Sequence, residues 1–525
     1  MRERLQSKPN EILSKHVLIP MLRDDCLHSF EAIIQVNEAH ILMLLEQGLL
    51  AEESARELLL AFAALRAEGS AGLEMEADYE DLYFNVEQYI MKIAGRNTGG
   101  KMHISRSRND LNATLTRMKA RDELRKTCGI FNELRSKLVG IAEEHLSTIF
   151  TAYTHSQPAQ PISLAHYFLA LVKAFERDYE RLRQAYEHLN LSPLGSGALA
   201  GTSFAIDREY TARLLGFAGV IENSLDGVAA RDYLLEIMAA YAILASNVNR
   251  FSYDLYTWSS YEHAYIEFDD SLASCSSIMP QKKNPTALEH IKSRTAHMAS
   301  AFADLNSCLR NIPYSHCRDI GSELTLTFWD ASDQIGQALE LLSASLSGMS
   351  INRERMEEAA NTNFSTVTEL ANELVRQLAL PFRTAHAVVG QVVQICVNNG
   401  LGMAGVTVDL LNEKLLQQNA PPLPWTAQYL AELLNARNVV AKHQSQGGPG
   451  HKACTAMLTG AKARLSRDVC WLAEAEHRQE QAAGLRKERI EEILKREWGV
   501  KNGYYPAQAG SCPVLPNHRT HEGTD

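Results

Sequence analysis

The chain has 525 residues, 45% of them apolar and 22% charged, a balance that suits a globular protein of two to four domains. Its formal net charge of −11, with both signs mixed along the sequence, argues against a general nucleic-acid binder, which needs a basic face. An anionic substrate remains compatible, because Arg and Lys can cluster locally within an acidic protein.

In chain order, the opening Met1-Arg2-Glu3-Arg4-Leu5 carries no apolar run resembling a secretory signal. Gly and Asn gather between Gly95 and Gly100, and the polar block Met102 to Asp110 follows, just before a long helical run. From Leu164 the apolar positions read Leu164, Phe168, Leu171, Phe175, Tyr179, Leu182 and Tyr186, in steps of three and four. A second stripe reads Ile237, Leu244, Val248, Phe251, Leu255 and Trp258. Both predict long helices with a single bundle-like seam, and they speak for core packing rather than chemistry. Breaks are expected at Leu191 to Gly197, Ser271 to Pro285, Pro421 to Pro424 and Gly447 to Gly450. The end, from about Tyr504, lacks periodicity and reads as an irregular tail. Period-two alternation is almost absent, so the expectation is an all-α fold without a substantial sheet.

No stretch approaches the roughly 18 uncharged apolar residues of a membrane helix. Nine cysteines without a Cys-x-x-Cys pair point to reduced thiols in a cytoplasmic protein, not to disulfides or zinc.

Three polar segments interrupt these apolar surroundings. His103-Ile104-Ser105-Arg106-Ser107-Arg108-Asn109-Asp110 puts hydroxyl, amide and guanidinium groups at a helix start, where free N–H groups favour a carboxylate. Read more plainly, the same segment is a polar helix cap, with Asp110 or Asn109 as the capping residue. Thr154-His155-Ser156-Gln157-Pro158 holds an imidazole, the side chain suited to proton exchange near neutrality, in a loop fixed by proline. A purely structural loop histidine is the alternative. Ser274-Cys275-Ser276-Ser277-Ile278-Met279-Pro280-Gln281-Lys282-Lys283-Asn284-Pro285 joins hydroxyls to cations and an amide, a loop able to close over an anion.

This third segment closely resembles the signature loop of the fumarase/aspartase superfamily in its argininosuccinate lyase form. The other two segments are similar to the family's remaining motifs, as are Pro193 to Ala198, Arg231-Asp232 and Pro381 to His386. The resemblance spans about residue 20 to 460. It implies an all-helical subunit with an N-terminal domain over 1–109, a central long-helix domain over 110–360, a C-terminal domain over 361–495 and a tail over 496–525. It further implies a homotetramer built around a helical bundle, with each site shared by three subunits and with no metal or organic cofactor.

The implied reaction is anti elimination from an N-substituted aspartate, giving fumarate and an amine. By motif position Ser276 would be the base, while Lys282 and Asn284 would hold the carboxylate that gains charge. Ser107, Arg108, Asn109 and Thr154 would hold the succinyl part, and His155, partnered by Glu289, would orient the site or assist the leaving nitrogen.

The sequence departs from the family after the signature loop. Where argininosuccinate lyases carry Tyr, Gln and a second Lys to hold the guanidinium end, this chain has His316, Gly321 and Leu324. A protonated His316 would suit an acidic amine fragment. Tyr83 stands where the family has His, and Ile104-Ser105 where it has Thr-Gly. The expectation is retained chemistry on a different amine, of the kind in ethylenediamine-N,N′-disuccinate (EDDS). Argininosuccinate itself is the alternative, and a non-catalytic, crystallin-like structural member the second.

Overall fold

The computed structural model describes residues 4, 7–310 and 312–496. The tail expected beyond Arg496 lies outside the described residues. Three helices, α1 (Ile19–Glu46), α2 (Glu52–Glu68) and α3 (Leu82–Ala94), enclose the first hydrophobic core. Leu194 and Tyr210 to Phe217 join it from further along the chain.

Five long helices make the centre: α4 (Arg108–Glu144), α5 (Leu164–Leu189), α6 (Asp232–Trp258), α7 (Thr286–Leu309) and α8 (Ser322–Ser347). The expected stripes face inward. Phe168, Phe175, Tyr179 and Leu182 of α5, and Ile237, Leu244, Val248 and Phe251 of α6, are fully buried in one shared core. Each such side chain contributes about 1.5–3 kcal/mol of transfer free energy.

A third core is formed by α9 (Val367–Leu378), α10 (Phe382–Asn398), α11 (Val408–Gln417) and α12 (Ala427–Leu434). The 45-residue helix α13 (His451–Lys495), which the sequence groups with residues 361–495, packs elsewhere. Its Cys454, Leu458, Ala461, Leu472 and Ala475 enter the central core, and Ile493 reaches the first. At 1.5 Å per residue it runs about 68 Å. Buried Arg486 at its far end donates to the carbonyl of Leu214 at 2.7 Å, so this helix ties two cores together.

Strands among the described residues form four two-stranded pieces, in keeping with an all-α fold. One carries the Thr154–Gln157 segment at its tip: β1 (Ile149–Thr154) pairs antiparallel with β2 (Gln157–Ser163). The sequence reads this stretch as a loop, because Pro158 and Pro161 mask the alternation. A two-stranded ribbon has only edges, where proline's missing N–H costs no ladder bond. No described helix is long and apolar enough to cross a membrane.

Candidate active site

The first motif is built around a buried carboxylate. Ser107 has an extended backbone and caps α4, its hydroxyl accepting from the Asn109 N–H at 3.3 Å. Neither Asn109 nor Asp110 is the cap; Asp110 sits one turn in and reaches back, accepting from the Ser107 N–H at 3.0 Å. Its second oxygen accepts from the N–H groups of Gly195 and Gly197, both at 2.9 Å. Both glycines have positive φ, 87° and 61°, and a Cβ on Gly197 would stand 2.6 Å from the Gly201 carbonyl oxygen. The glycine-rich run is therefore a turn wrapped onto the start of α4. Burial pushes the Asp110 carboxyl up to about 6 despite these donors.

Arg108 projects from this frame over the Phe84 ring, 4.0 Å from its centroid. Its guanidinium donates to Asp81 at 2.7 Å and to Glu80 at 3.3 Å. Asn109 donates to the Ala198 carbonyl at 3.0 Å. Behind them, the Tyr83 hydroxyl meets His103 Nδ1 at 2.8 Å and accepts from buried Arg106 at 3.2 Å. Burial, with Arg106 and Arg108 nearby, lowers His103 to about 4, so this imidazole is neutral at pH 7.

Asp81 also faces Arg318 at 3.9 Å, which brings the segment carrying His316 to the same place. Asp24, Asp25, Asp81, Lys119, Arg231 and His316 line a cleft there. Burial and the guanidinium groups of Arg231, Arg318 and Arg108 hold His316 at about 4. The protonated His316 expected from sequence is thus corrected: it is a neutral side chain at pH 7, with Nδ1 buried and unbonded. Leu324 is 1% exposed and belongs to the central core, so it presents no polar group to the cleft. Buried Arg231 donates to the carbonyls of Ile320 and Ala230, bracing the turn that carries Gly321.

The second motif is the tip of the β1–β2 hairpin. Thr154 pairs with Gln157, and His155 and Ser156 form the two-residue turn with φ of 54° and 58°. Positive φ at both central positions is the type I′ pattern, which matches strand twist but is unusual without glycine or asparagine. Thr154 and His155 are exposed.

In the third motif β3 (Ser274–Cys275) pairs with β4 (Lys283–Asn284), so the segment is a hairpin-closed loop. The Ser276 hydroxyl oxygen accepts from the N–H groups of Met279 at 3.1 Å and Ile278 at 3.4 Å. Lys283 is tied to Asp270 at 2.7 Å and Glu267 at 3.0 Å. The Lys282 ammonium has no hydrogen-bond or ion-pair partner among the described residues. Lys282 and Asn284 line an open cavity of about 600 Å³. Glu289, in the first turn of α7, accepts from the Tyr256 hydroxyl at 3.4 Å.

One chain therefore brings Ser107, Arg108, Asn109 and His316 into one neighbourhood, and Ser276, Lys282 and Asn284 into another. No described contact joins His155 to Glu289 or to Ser276. The contribution of Asp81 was not legible as a site feature, because its sequence context signals only the cap of α3, where it accepts from the Phe84 N–H at 3.0 Å.

Comparison with known proteins places this constellation. Residues 30–298 match the family described as lyase, and residues 364–441 the family described as argininosuccinate lyase C-terminal. Argininosuccinate lyase 1 of Shouchella clausii is 40% identical over 465 residues, covering 89% of this chain and 93% of that protein. The chain belongs to the argininosuccinate lyase family. It is a fumarate-releasing carbon–nitrogen lyase. Argininosuccinate lyase of Methanoculleus marisnigri is 37% identical, covering 85% of this chain and 89% of that one. Among solved structures, EDDS lyase in complex with formate superposes with a TM-score of 0.83 at 30% identity, over 93% of this chain and 96% of that one. A variant of EDDS lyase with bound fumarate superposes with a TM-score of 0.82.

Proposed function

We propose that this chain cleaves an N-substituted L-aspartate whose amine carries carboxylates, EDDS or a close analogue, and does so as a homotetramer. Ser276 removes the Cβ proton. The electron pair moves into the adjacent carboxylate as an aci-carboxylate, held by Lys282 and Asn284, and its collapse forms the double bond of fumarate and breaks the C–N bond. His155, with Glu289 of a neighbouring subunit as partner, orients the site and helps protonate the departing nitrogen. Ser107, Arg108, Asn109 and Thr154 hold the succinyl end. Preorganised donors at the aci-carboxylate supply the largest catalytic contribution in such chemistry. Sharing between subunits is supported by the separate placement of the three motifs within one chain.

The observation that carries the amine assignment is the amine-end cleft itself. At its His316 end, neutral His316, side-chain-free Gly321 and core-packed Leu324 replace three polar family contacts, while the fumarate-side residues are all present. A site that has lost those partners discriminates against the group they held. The resemblance to EDDS lyase supports the same reading. Argininosuccinate is the second reading, favoured by the 40% identity to a protein bearing that name. Fumarate absorbance under steady-state conditions tests both. EDDS-type substrates are expected to turn over and argininosuccinate to be processed poorly; argininosuccinate cleavage at or above about 10⁴ M⁻¹s⁻¹ would sink the assignment.

The two proposed carboxylate ligands differ in what their loss should do. Lys282→Met removes an unpaired surface cation, so fumarate affinity should fall about 10–100-fold, the worth of a charged hydrogen bond, with little change in melting temperature. Arg108→Met also strips the nearer of two guanidinium groups from Asp81, which is 5% exposed, so it should weaken both affinity and stability. Fumarate titration alongside thermal unfolding checks this. Normal fumarate binding in Lys282→Met would remove Lys282 from the site.

A further inference from the structure

Resting on the reading of His155 as a group that serves the elimination, we propose that Tyr265 is a positioning residue for it. The Tyr265 hydroxyl anchors Tyr153, which lies just before Thr154 and His155, and so fixes the hairpin tip against the segment that runs on into the Ser276 loop.

The anchor is short and sheltered. The Tyr153 and Tyr265 hydroxyls meet at 3.0 Å, and Tyr265 is 3% exposed. A bulge shifts the β1–β2 register between Ala152 and Tyr153, and such a bulge re-aims the side chain beside it. The Tyr265 ring stands edge-on to Phe150, with 5.8 Å between centroids, and His263 lies edge-on to both tyrosines. Its backbone is held as firmly. The Tyr265 N–H donates to the Trp258 carbonyl at 3.0 Å, and the Tyr265 carbonyl accepts from the Asn352 N–H at 2.8 Å. Burial pushes the Tyr265 phenol up from its ordinary value, and the bond to Tyr153 adds to this, so it keeps its proton at pH 7.

Polar restraint on the tip comes from this pair. Among the described residues no other hydrogen bond or ion pair joins residues 153–160 to the subunit outside the hairpin. The next such ties lie further down the ribbon, where Thr151 accepts from Asn363 at 3.0 Å and Ser163 donates to the Pro449 carbonyl at 2.9 Å. From Thr151 to His155 is about 13 Å of extended chain. An arm of that reach swings unless it is tied near its end, and a shift of about 1 Å at a catalytic group can cost roughly 10²-fold in rate. On the other side of the bond, Tyr265 leads directly into the strand Ile266–Phe268, which pairs with Met349–Ile351, and then on to β3. One hydroxyl pair thus registers the second motif against the base of the third.

Steady-state fumarate release by the full-length protein tests this, on whichever of EDDS and argininosuccinate the wild type cleaves faster. Tyr265→Phe keeps the ring and removes only the hydroxyl, so kcat is expected to fall about 10–100-fold with the melting temperature little changed. Tyr153→Phe and the double variant should match it, because each removes the same bond. In a His155→Asn background, Tyr265→Phe should cost at most about threefold more, the part carried by Thr154. Wild-type kcat in Tyr265→Phe, or its full loss repeated in the His155→Asn background, would overturn the proposal. A wild-type rate in His155→Asn sinks the reading of His155 and the proposal with it. A slow His155→Asn beside a normal Tyr265→Phe sinks the proposal alone.

Discussion

Replacing Ser276 with alanine is expected to lower turnover by about 10²–10⁴-fold, the usual cost of losing a general base, with the fold intact. A serine hydroxyl is a poor base unless its alkoxide is stabilised. Here the Ser276 oxygen already accepts from the N–H groups of Met279 and Ile278, and such donors favour the deprotonated form. Lys282, free of other partners, would add a positive charge when the loop meets substrate. Ser277 is the rival, one residue on and more exposed. Fumarate release by Ser276→Ala and Ser277→Ala decides between them. Near-wild-type rates in the first with collapse in the second would move the base by one residue.

A second large effect is expected far from any bond that breaks. Asp110→Ala should destabilise the subunit by at least about 3 kcal/mol, since three N–H groups lose their acceptor at about 1 kcal/mol or more each. The same carboxylate fixes where Ser107, Arg108 and Asn109 emerge, so surviving protein should also bind fumarate poorly. Asp110→Asn should be milder. It keeps one accepting oxygen and removes a charge whose burial is unfavourable, as the raised carboxyl indicates. Denaturant unfolding at a fixed subunit concentration measures the difference. If Asp110→Ala lies within about 1 kcal/mol of wild type, the tie between α4 and the glycine turn carries little.

Long helices were the readable part of the fold, because a seam of residues such as Phe168, Phe175 and Leu182 repeats with the helical period over many turns. The β1–β2 hairpin was not readable: six- and seven-residue strands containing two prolines leave too few positions for a pattern to emerge. The return of α13 to the central core was hidden for another reason. An amphipathic stripe records that a helix packs, not which partner it packs against. At the candidate site the motif residues were named from sequence through their resemblance to the family's ordered motifs. Asp25, Lys119 and Asp81 could not be named so, because they converge only through the packing of α1, α3 and α4. His316 shows the limit most sharply. Its residue type allowed a cation, and only its burial, together with the three surrounding guanidinium groups, reveals a neutral ring.

The hairpin tip carries a compromise between aim and ease of folding. His155 and Ser156 hold a backbone shape that glycine adopts freely and that costs an L-residue about 1–2 kcal/mol. In exchange, the peptide frame leaves the imidazole only its own two side-chain rotations, although no hydrogen bond or ion pair among the described residues grips the ring. In the proposed tetramer, where this imidazole serves a neighbouring subunit's pocket, a stiff, strained turn is a way to hold its direction in advance. Relaxing that turn would make the subunit easier to fold and the imidazole harder to place.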